Sequence, residues 1–362
     1  MIDQLLRVEG LPDLLLMSRL FKVSAALNTA AKLGLFTALD KHKEAGATAQ
    51  QLSADLGLCQ CPGFRAAADF LDLLVSVGCL ERAGDGPVAR YRNAAVAERH
   101  LVKGGPEYVA APPIPGGILC LNSDRSYPMF EYLAPALQQG EMPAEAFQRV
   151  PDIHTIFGSD DAAAEFFADG MTGASLGNFE LLAQRFPFGR FASLGDLGGS
   201  SGCLACCVAK RHTHMSVATY DLPPVHAAAE RYVAAQGCGE RVQVRDYDFF
   251  SPDPVPGAHD VLTLGMVLHD WGLDKKLLLM RKAHAALPAG GALIAIDNLI
   301  DDERRSSPVQ LGMSLNMLLE FGRENAFDYT FKEFTDWATL VGFQRVELIA
   351  LAGTTQAAVA YK

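Results

Sequence analysis

From residue 191 onward, short apolar runs alternate with helical patterns, and this alternation constrains the fold more than any other feature of the chain. The runs lie at 191–197, 216–220, 242–245, 259–265 and 292–296, with helical stretches at 203–210, 225–236 and 275–287. Strands joined through helices predict a mostly parallel sheet covered on both faces. Residues 345–351 and 357–361 read as a closing hairpin.

The first hundred residues have a different texture. Residues 13–40 carry Leu, Ala and Phe at helical spacing on more than one face. Such a helix needs cover on several sides, and a second subunit would supply it. A polar-started helix at 47–57 ends at Gly57, and another at 63–77 carries Phe64, Phe70, Leu71, Leu74 and Val75. Leu80 to Arg82 and Arg90 to Arg92 flank a Gly/Asp turn, as in a β-hairpin. Helix, helix, hairpin is the order of a winged helix, which raises DNA binding as a rival function. The second helix has only Arg65 as a base, beside Asp69 and Asp72, and the chain carries a net charge of −11. Phosphate recognition needs clustered Lys and Arg, so a dimer-forming role is the better reading and no nucleic-acid partner is expected.

A chain of 362 residues with 49% hydrophobic residues can bury a core unaided. No basic leader precedes an apolar run, and no stretch approaches the ~18 apolar residues of a membrane helix. A cytoplasmic enzyme without a membrane partner is the expectation. The organisation reads as a helical winged-helix dimerisation domain over 1–105, a helical linker region over 106–180 contributing to the substrate pocket, and a Rossmann-like α/β domain over 181–362; within the linker, 105–160 reads as irregular, with Pro and Gly close together, and a helical pattern resumes over 163–180. The eight cysteines lack zinc-finger spacing, and Cys203, Cys206 and Cys207 read as helix packing, so no metal is expected.

The first strand of the α/β region runs into Asp196-Leu197-Gly198-Gly199-Ser200-Ser201-Gly202. Ligands in such sheets sit outside the carboxyl ends of the strands, and glycines let the backbone approach them closely. The spacing differs from Gly-x-Gly-x-x-Gly, and no phosphate-binding Gly-Lys-Ser/Thr follows. Asp221, followed by Leu222, ends the next strand, where a carboxylate can accept from both hydroxyls of a ribose. Asp248 and Phe249 follow the third, suited to an adenine amine and ring. In strand order, the three predict S-adenosylmethionine, with NAD as the rival cofactor.

With these residues assembled, the sequence resembles the small-molecule O-methyltransferases typified by the plant caffeate and animal acetylserotonin enzymes, together with their bacterial tailoring relatives. The likeness spans nearly the whole chain. Its strongest element is Val267-Leu268-His269-Asp270-Trp271 with Lys275-Lys276 on the next helix; Pro288-Ala-Gly-Gly and Asp297-Asn-Leu-Ile-Asp-Asp also fit. The resemblance implies that His269 is the general base that takes a hydroxyl proton as the methyl transfers. Imidazole titrates near neutrality, which suits that task. Asp297 and Asp328 stand where the family has two glutamates beside the base, one methylene shorter. Ser200-Ser201 replaces the more usual Gly-Thr, and Ser175 is expected near the cofactor. An acceptor pocket is implied at Phe166, Met171, Met313, Asn316 and Met317, with Asp270 beside it. The partner's N-terminal helix, through Met17 or Phe21, is expected near the neighbouring site of a homodimer. A related possibility is methylation of a thioether acid, as in dimethylsulfoniopropionate synthesis, with His269 positioning the acceptor.

Overall fold

A computed structural model describes residues 8–61, 65–102, 119, 122–153, 156 and 161–362; side chains at 44, 161–167 and 169 lie outside that description. Contacts divide the chain into two units, Met1–Tyr127 with Asp169–Ala174, and Pro128–Ala168 with Ser175–Lys362.

In the first unit, the apolar stretch of residues 13–40 forms three helices, Leu11–Met17, Phe21–Lys32 and Leu35–Asp40, and the last turn is set by Gly34 at φ 71°. Strand β1 (Ala47–Thr48), which the sequence reading passed over, leads into helix Ala49–Asp55. Thr48 and Gln51 cap that helix reciprocally, each side chain bonding the other's backbone N–H. The next helix spans Ala66–Ser76, while the expected start at 63 and Phe64 lie outside the described residues. β2 (Leu80–Ala83) and β3 (Arg90–Asn93) form the hairpin, and β1 pairs on β3 to give the order β1-β3-β2. Leu35, Phe36, Leu52, Leu71, Leu74, Leu80 and Tyr91 form its core. The helix Leu11–Met17 has no buried residue.

The middle of the chain corrects one expectation. The prolines at 106, 112, 113 and 115 lie outside the described residues, but 122–153 is not irregular. It contains helices Tyr127–Phe130 and Leu133–Gln139 and a 3-10 turn at Ala144–Gln148. Met129, Ala136, Met142, Ala146 and Val150 bury together with Leu319. The predicted helix near 163–180 runs Asp161–Arg185.

The second unit is built on a seven-stranded sheet of order β6-β5-β4-β7-β8-β10-β9. Its strands are β4 (Ser193–Leu197), β5 (Ser216–Asp221), β6 (Val242–Asp246), β7 (Val261–Gly265), β8 (Ala292–Asp297), β9 (Arg345–Ala350) and β10 (Gln356–Tyr361). β4 to β8 pair in parallel, and β10 runs antiparallel between β8 and β9. Side chains alternate across a strand. In β8, Ala292, Ile294 and Ile296 therefore enter one core, and Leu293 and Ala295 the other. Asp297 continues the second set. Strand order reverses about β4, which places the topological switch point at the glycine turn. Helices Pro308–Phe321 and Phe331–Val341 were not delimited from the sequence.

Candidate active site

The turn after β4 is shaped by what a side chain would strike. A Cβ on Gly199 would lie 2.0 Å from Thr219 Oγ1 and 2.7 Å from Asp196 Oδ2. Gly198 has φ +68°, and its Cβ would meet Val267 at 2.9 Å. Ser200 is held at φ 49° without being glycine, and its N–H donates to Asp221 Oδ2 at 2.8 Å. Leu222 N–H donates to Asp221 Oδ1 at 2.7 Å. Asp221 thus ties the turn to the end of β5. Gly202, at φ 77°, is the N-cap of helix Cys203–Arg211, which starts at the same edge.

Asp196 is the polar floor of this turn. It is buried, and Thr263 Oγ1 donates to its Oδ1 at 2.6 Å. Burial pushes its carboxyl up to about 7, against the Thr263 hydrogen bond, and Asp221 adds to the rise. Asp196 Oδ2 and Thr219 Oγ1 are buried without a hydrogen-bond partner in the described structure. Such atoms are costly unless a ligand pairs them. A cradle of glycine backbone around an acceptor and a hydroxyl fits the amino-acid end of S-adenosylmethionine.

Further along the edge, Asp248 is exposed and accepts from Phe250 N–H at 2.8 Å, capping its own turn. Phe249 packs edge-on to Trp271, with ring centroids 6.2 Å apart. Lys282 donates to the carbonyls of Phe249 at 2.9 Å and Ser251 at 2.7 Å, pinning this loop. Ser175 is buried on helix Asp161–Arg185.

His269 lies in a single 3-10 turn, Leu268–Asp270, just past β7. Met266, two residues beyond the end of the ladder's apolar run, takes φ 56°, a conformation that costs a β-carbon-bearing residue energy and redirects the chain. His269 Nδ1 is 3.1 Å from Asp328 Oδ1. Its Nε2 lies 3.4 Å from Asp270 Oδ1 and 3.9 Å from Asp297 Oδ1. His269, Asp297 and Asp328 are all buried. Burial disfavours the imidazolium, but Asp297, Asp328 and Asp270 together outweigh it and raise the ring to about 10. Asp297 is pushed up to about 6 by burial, against the pull of His269.

The two acids stand differently to the ring. Asp328 is within hydrogen-bond reach of the ring, whereas Asp297 Oδ1 is beyond it and acts through its charge. Asp297 Oδ2 instead accepts from Tyr329 O–H at 2.6 Å. Tyr329 was missed from the sequence because its partner is 32 positions away. Asp328 N–H donates to Ser314 Oγ at 3.1 Å, which fixes the acid against helix Pro308–Phe321. That helix packs on the turn bearing His269. Its residues Met313 and Asn316 are half-buried, and Met317 is buried. Met171 is half-buried in the other unit, and the Phe166 side chain lies outside the described ones.

Lys276 was noted in the sequence only as part of a motif. It is fully buried and donates to the carbonyls of Trp271 and Phe327. A signal for it was present: Lys276, Leu279, Met280 and Ala283 fall on one helical stripe, and the other three are apolar. Among the described residues, no group of three or more His, Cys, Asp or Glu is arranged to hold a metal. No helix among them is long and apolar enough to cross a membrane.

The family model of the O-methyltransferase domain matches residues 130–344, and that of the O-methyltransferase dimerisation domain matches 15–103. The tetracenomycin polyketide synthesis 8-O-methyltransferase of Streptomyces glaucescens is 35% identical over 98% of both chains. The 3-hydroxy-5-methyl-1-naphthoate 3-O-methyltransferase of Streptomyces sahachiroi is 32% identical over 90% of this chain and 87% of its own. The crystal structure of human N-acetylserotonin methyltransferase in complex with S-adenosylmethionine superposes with TM-score 0.85 at 24% identity, covering 98% of each chain. None of these likenesses supports a thioether acceptor.

Proposed function

Because this chain belongs to the O-methyltransferase family, with the family's dimerisation domain ahead of its catalytic domain, we propose that it methylates a phenolic hydroxyl of a small aromatic metabolite, using S-adenosylmethionine and His269 as general base. Family membership sets NAD aside. The acceptor class is suggested by the two Streptomyces relatives, one named for a polyketide and one for a hydroxynaphthoate. We further infer that the working form is a homodimer.

The observation that carries the proposal is His269 held 3.1 Å from Asp328 at the strand edge that also bears the glycine turn. The cofactor supplies a methyl group already activated on a sulfonium. The chain's own task is to align the acceptor oxygen and remove its proton. Asp328 fixes the ring through Nδ1, which leaves Nε2 for the acceptor proton. Asp270 and Asp297 stabilise the cation that results. Asp196, Gly198, Gly199, Ser200 and Gly202 would hold the amino-acid end of the cofactor, Asp221 and Leu222 the ribose, and Asp248 and Phe249 the adenine.

In the ligand-free cluster the imidazolium dominates at neutral pH, because its affinity for the proton is raised to about 10. The neutral base is the minor form there, so kcat should rise with pH well beyond the ordinary histidine range. His269→Ala, assayed with a hydroxynaphthoate at saturation, should lose about 10²–10⁴-fold in kcat. Calorimetric affinity for S-adenosylhomocysteine should stay within about twofold of the parent, showing an intact cofactor site. Near-full turnover by the variant would overturn the base assignment.

A further inference from the structure

The helix Leu273–Ala286 turns a lysine into the core. Lys276 has no accessible surface, and its stripe is otherwise Leu279, Met280 and Ala283. Taking an ammonium out of water is among the costlier burials a fold makes, and a methionine of similar length would fill the space without that cost. The cation is therefore expected to contribute something a methionine does not.

Its surroundings say what. Lys276 Nζ donates to the Trp271 carbonyl and, at 2.9 Å, to the Phe327 carbonyl. Trp271 lies two residues past His269, and Phe327 immediately precedes Asp328. The ammonium thus joins the two backbone segments that carry the His269–Asp328 pair. It lies 3.7 Å from the centroid of the Phe327 ring and 5.7 Å from that of Tyr329, the residue that holds Asp297. The acids acting on it are Asp297, Asp328, Asp270 and Glu333.

We infer that Lys276 is a positioning residue for the methyl transfer: its ammonium clamps the carbonyls of Trp271 and Phe327 and offsets the negative charge crowded around His269. The inference rests on His269 being the base. Burial pushes Asp270 up to about 7 and Asp297 up to about 6, and an acid that takes up a proton no longer stabilises the imidazolium. A fixed positive charge opposes this. It favours the ionised acids and lowers their proton affinities. Burial lowers the lysine's own value to about 8, against the pull of the surrounding acids, so it stays charged through neutrality.

Lys276→Met removes donor and charge; Lys276→Gln keeps a donor without the charge. Two quantities are read on each full-length variant: the carbon NMR titration of the Asp297 carboxyl, assigned by its loss in Asp297→Asn, and kcat at neutral pH with a hydroxynaphthoate. The carboxyl midpoint should move up by about one pH unit in both variants. KM for S-adenosylmethionine should stay within about twofold. The neutral-pH kcat should fall further in Lys276→Met than in Lys276→Gln, because a neutral donor restores part of the clamp. An unmoved Asp297 midpoint in a folded variant overturns the inference. If Lys276→Met does not fold, Lys276→Gln decides; failure of both to fold makes the lysine a stability element and overturns the inference as well. An Asp297 midpoint that moves while kcat stays at the parental value supports the charge assignment and overturns the base reading instead.

Discussion

Asp196 shows how one residue can be legible in type and opaque in state. Its place at the end of the first α/β strand marked it as a cofactor contact, but its proton affinity depends on burial and on Thr263, 67 positions away. With its carboxyl pushed up to about 7, Asp196 is protonated below that pH and ionised above it. A cationic ligand group beside it needs the ionised form. Cofactor affinity should therefore rise between about pH 6 and 8 and level off above, and binding at pH 6.5 should release a proton. Calorimetry with S-adenosylhomocysteine in buffers of different ionisation enthalpy measures that proton directly. Asp196→Asn should lose both the pH dependence and about tenfold or more in affinity; a variant that binds as the parent does would remove Asp196 from the ligand site. The contrast with Asp248 is instructive. Its Oδ1 caps its own turn, so the adenine contact proposed for it falls to Oδ2.

At the scale of elements, the strands were legible because β8 and its neighbours are apolar in runs bounded by turns. Their boundaries moved by only a few residues. The helices that complete the site were harder. Pro308–Phe321 is apolar on several faces and lacks a side-chain cap, so its limits carry no local mark. Phe331–Val341 does carry one. Thr330 Oγ1 accepts from Glu333 N–H at 3.0 Å, and Glu333 accepts from Thr330 N–H at 2.8 Å. This capping box begins two residues past Asp328 and one past Tyr329. Thr330→Ala should cost about 0.5–2 kcal/mol of stability, read as a lower urea midpoint with unchanged slope. Because Tyr329 holds Asp297, kcat should fall more than cofactor affinity. A variant of parental stability would show that tertiary packing alone sets this helix start.

For the whole molecule, the N-terminal helices carry the clearest expectation. Leu11, Leu14 and Leu16 are 68%, 55% and 59% exposed in the isolated chain. A row of leucines left in water on a segment next to a dimerisation domain marks a surface that another copy would cover. Replacing Leu14 and Leu15 with Asp should convert a dimer into a monomer at micromolar concentration, measured by light scattering. An unchanged mass would place the contact elsewhere. What the sequence by itself determined was the class of fold and a line of candidate cofactor residues, because periodicity and glycine turns are local properties of a few adjacent residues. It also located His269, Asp297 and Asp328 in advance, through motif resemblance. The tertiary structure alone decided what state those groups hold. Asp328 bonds the ring, Asp297 turns to Tyr329, and Lys276 sits among the acids, and each of these pairs residues far apart in the chain. Proton affinity follows from burial and from the charges gathered around a group, so it is set only when the chain has folded and brought them together.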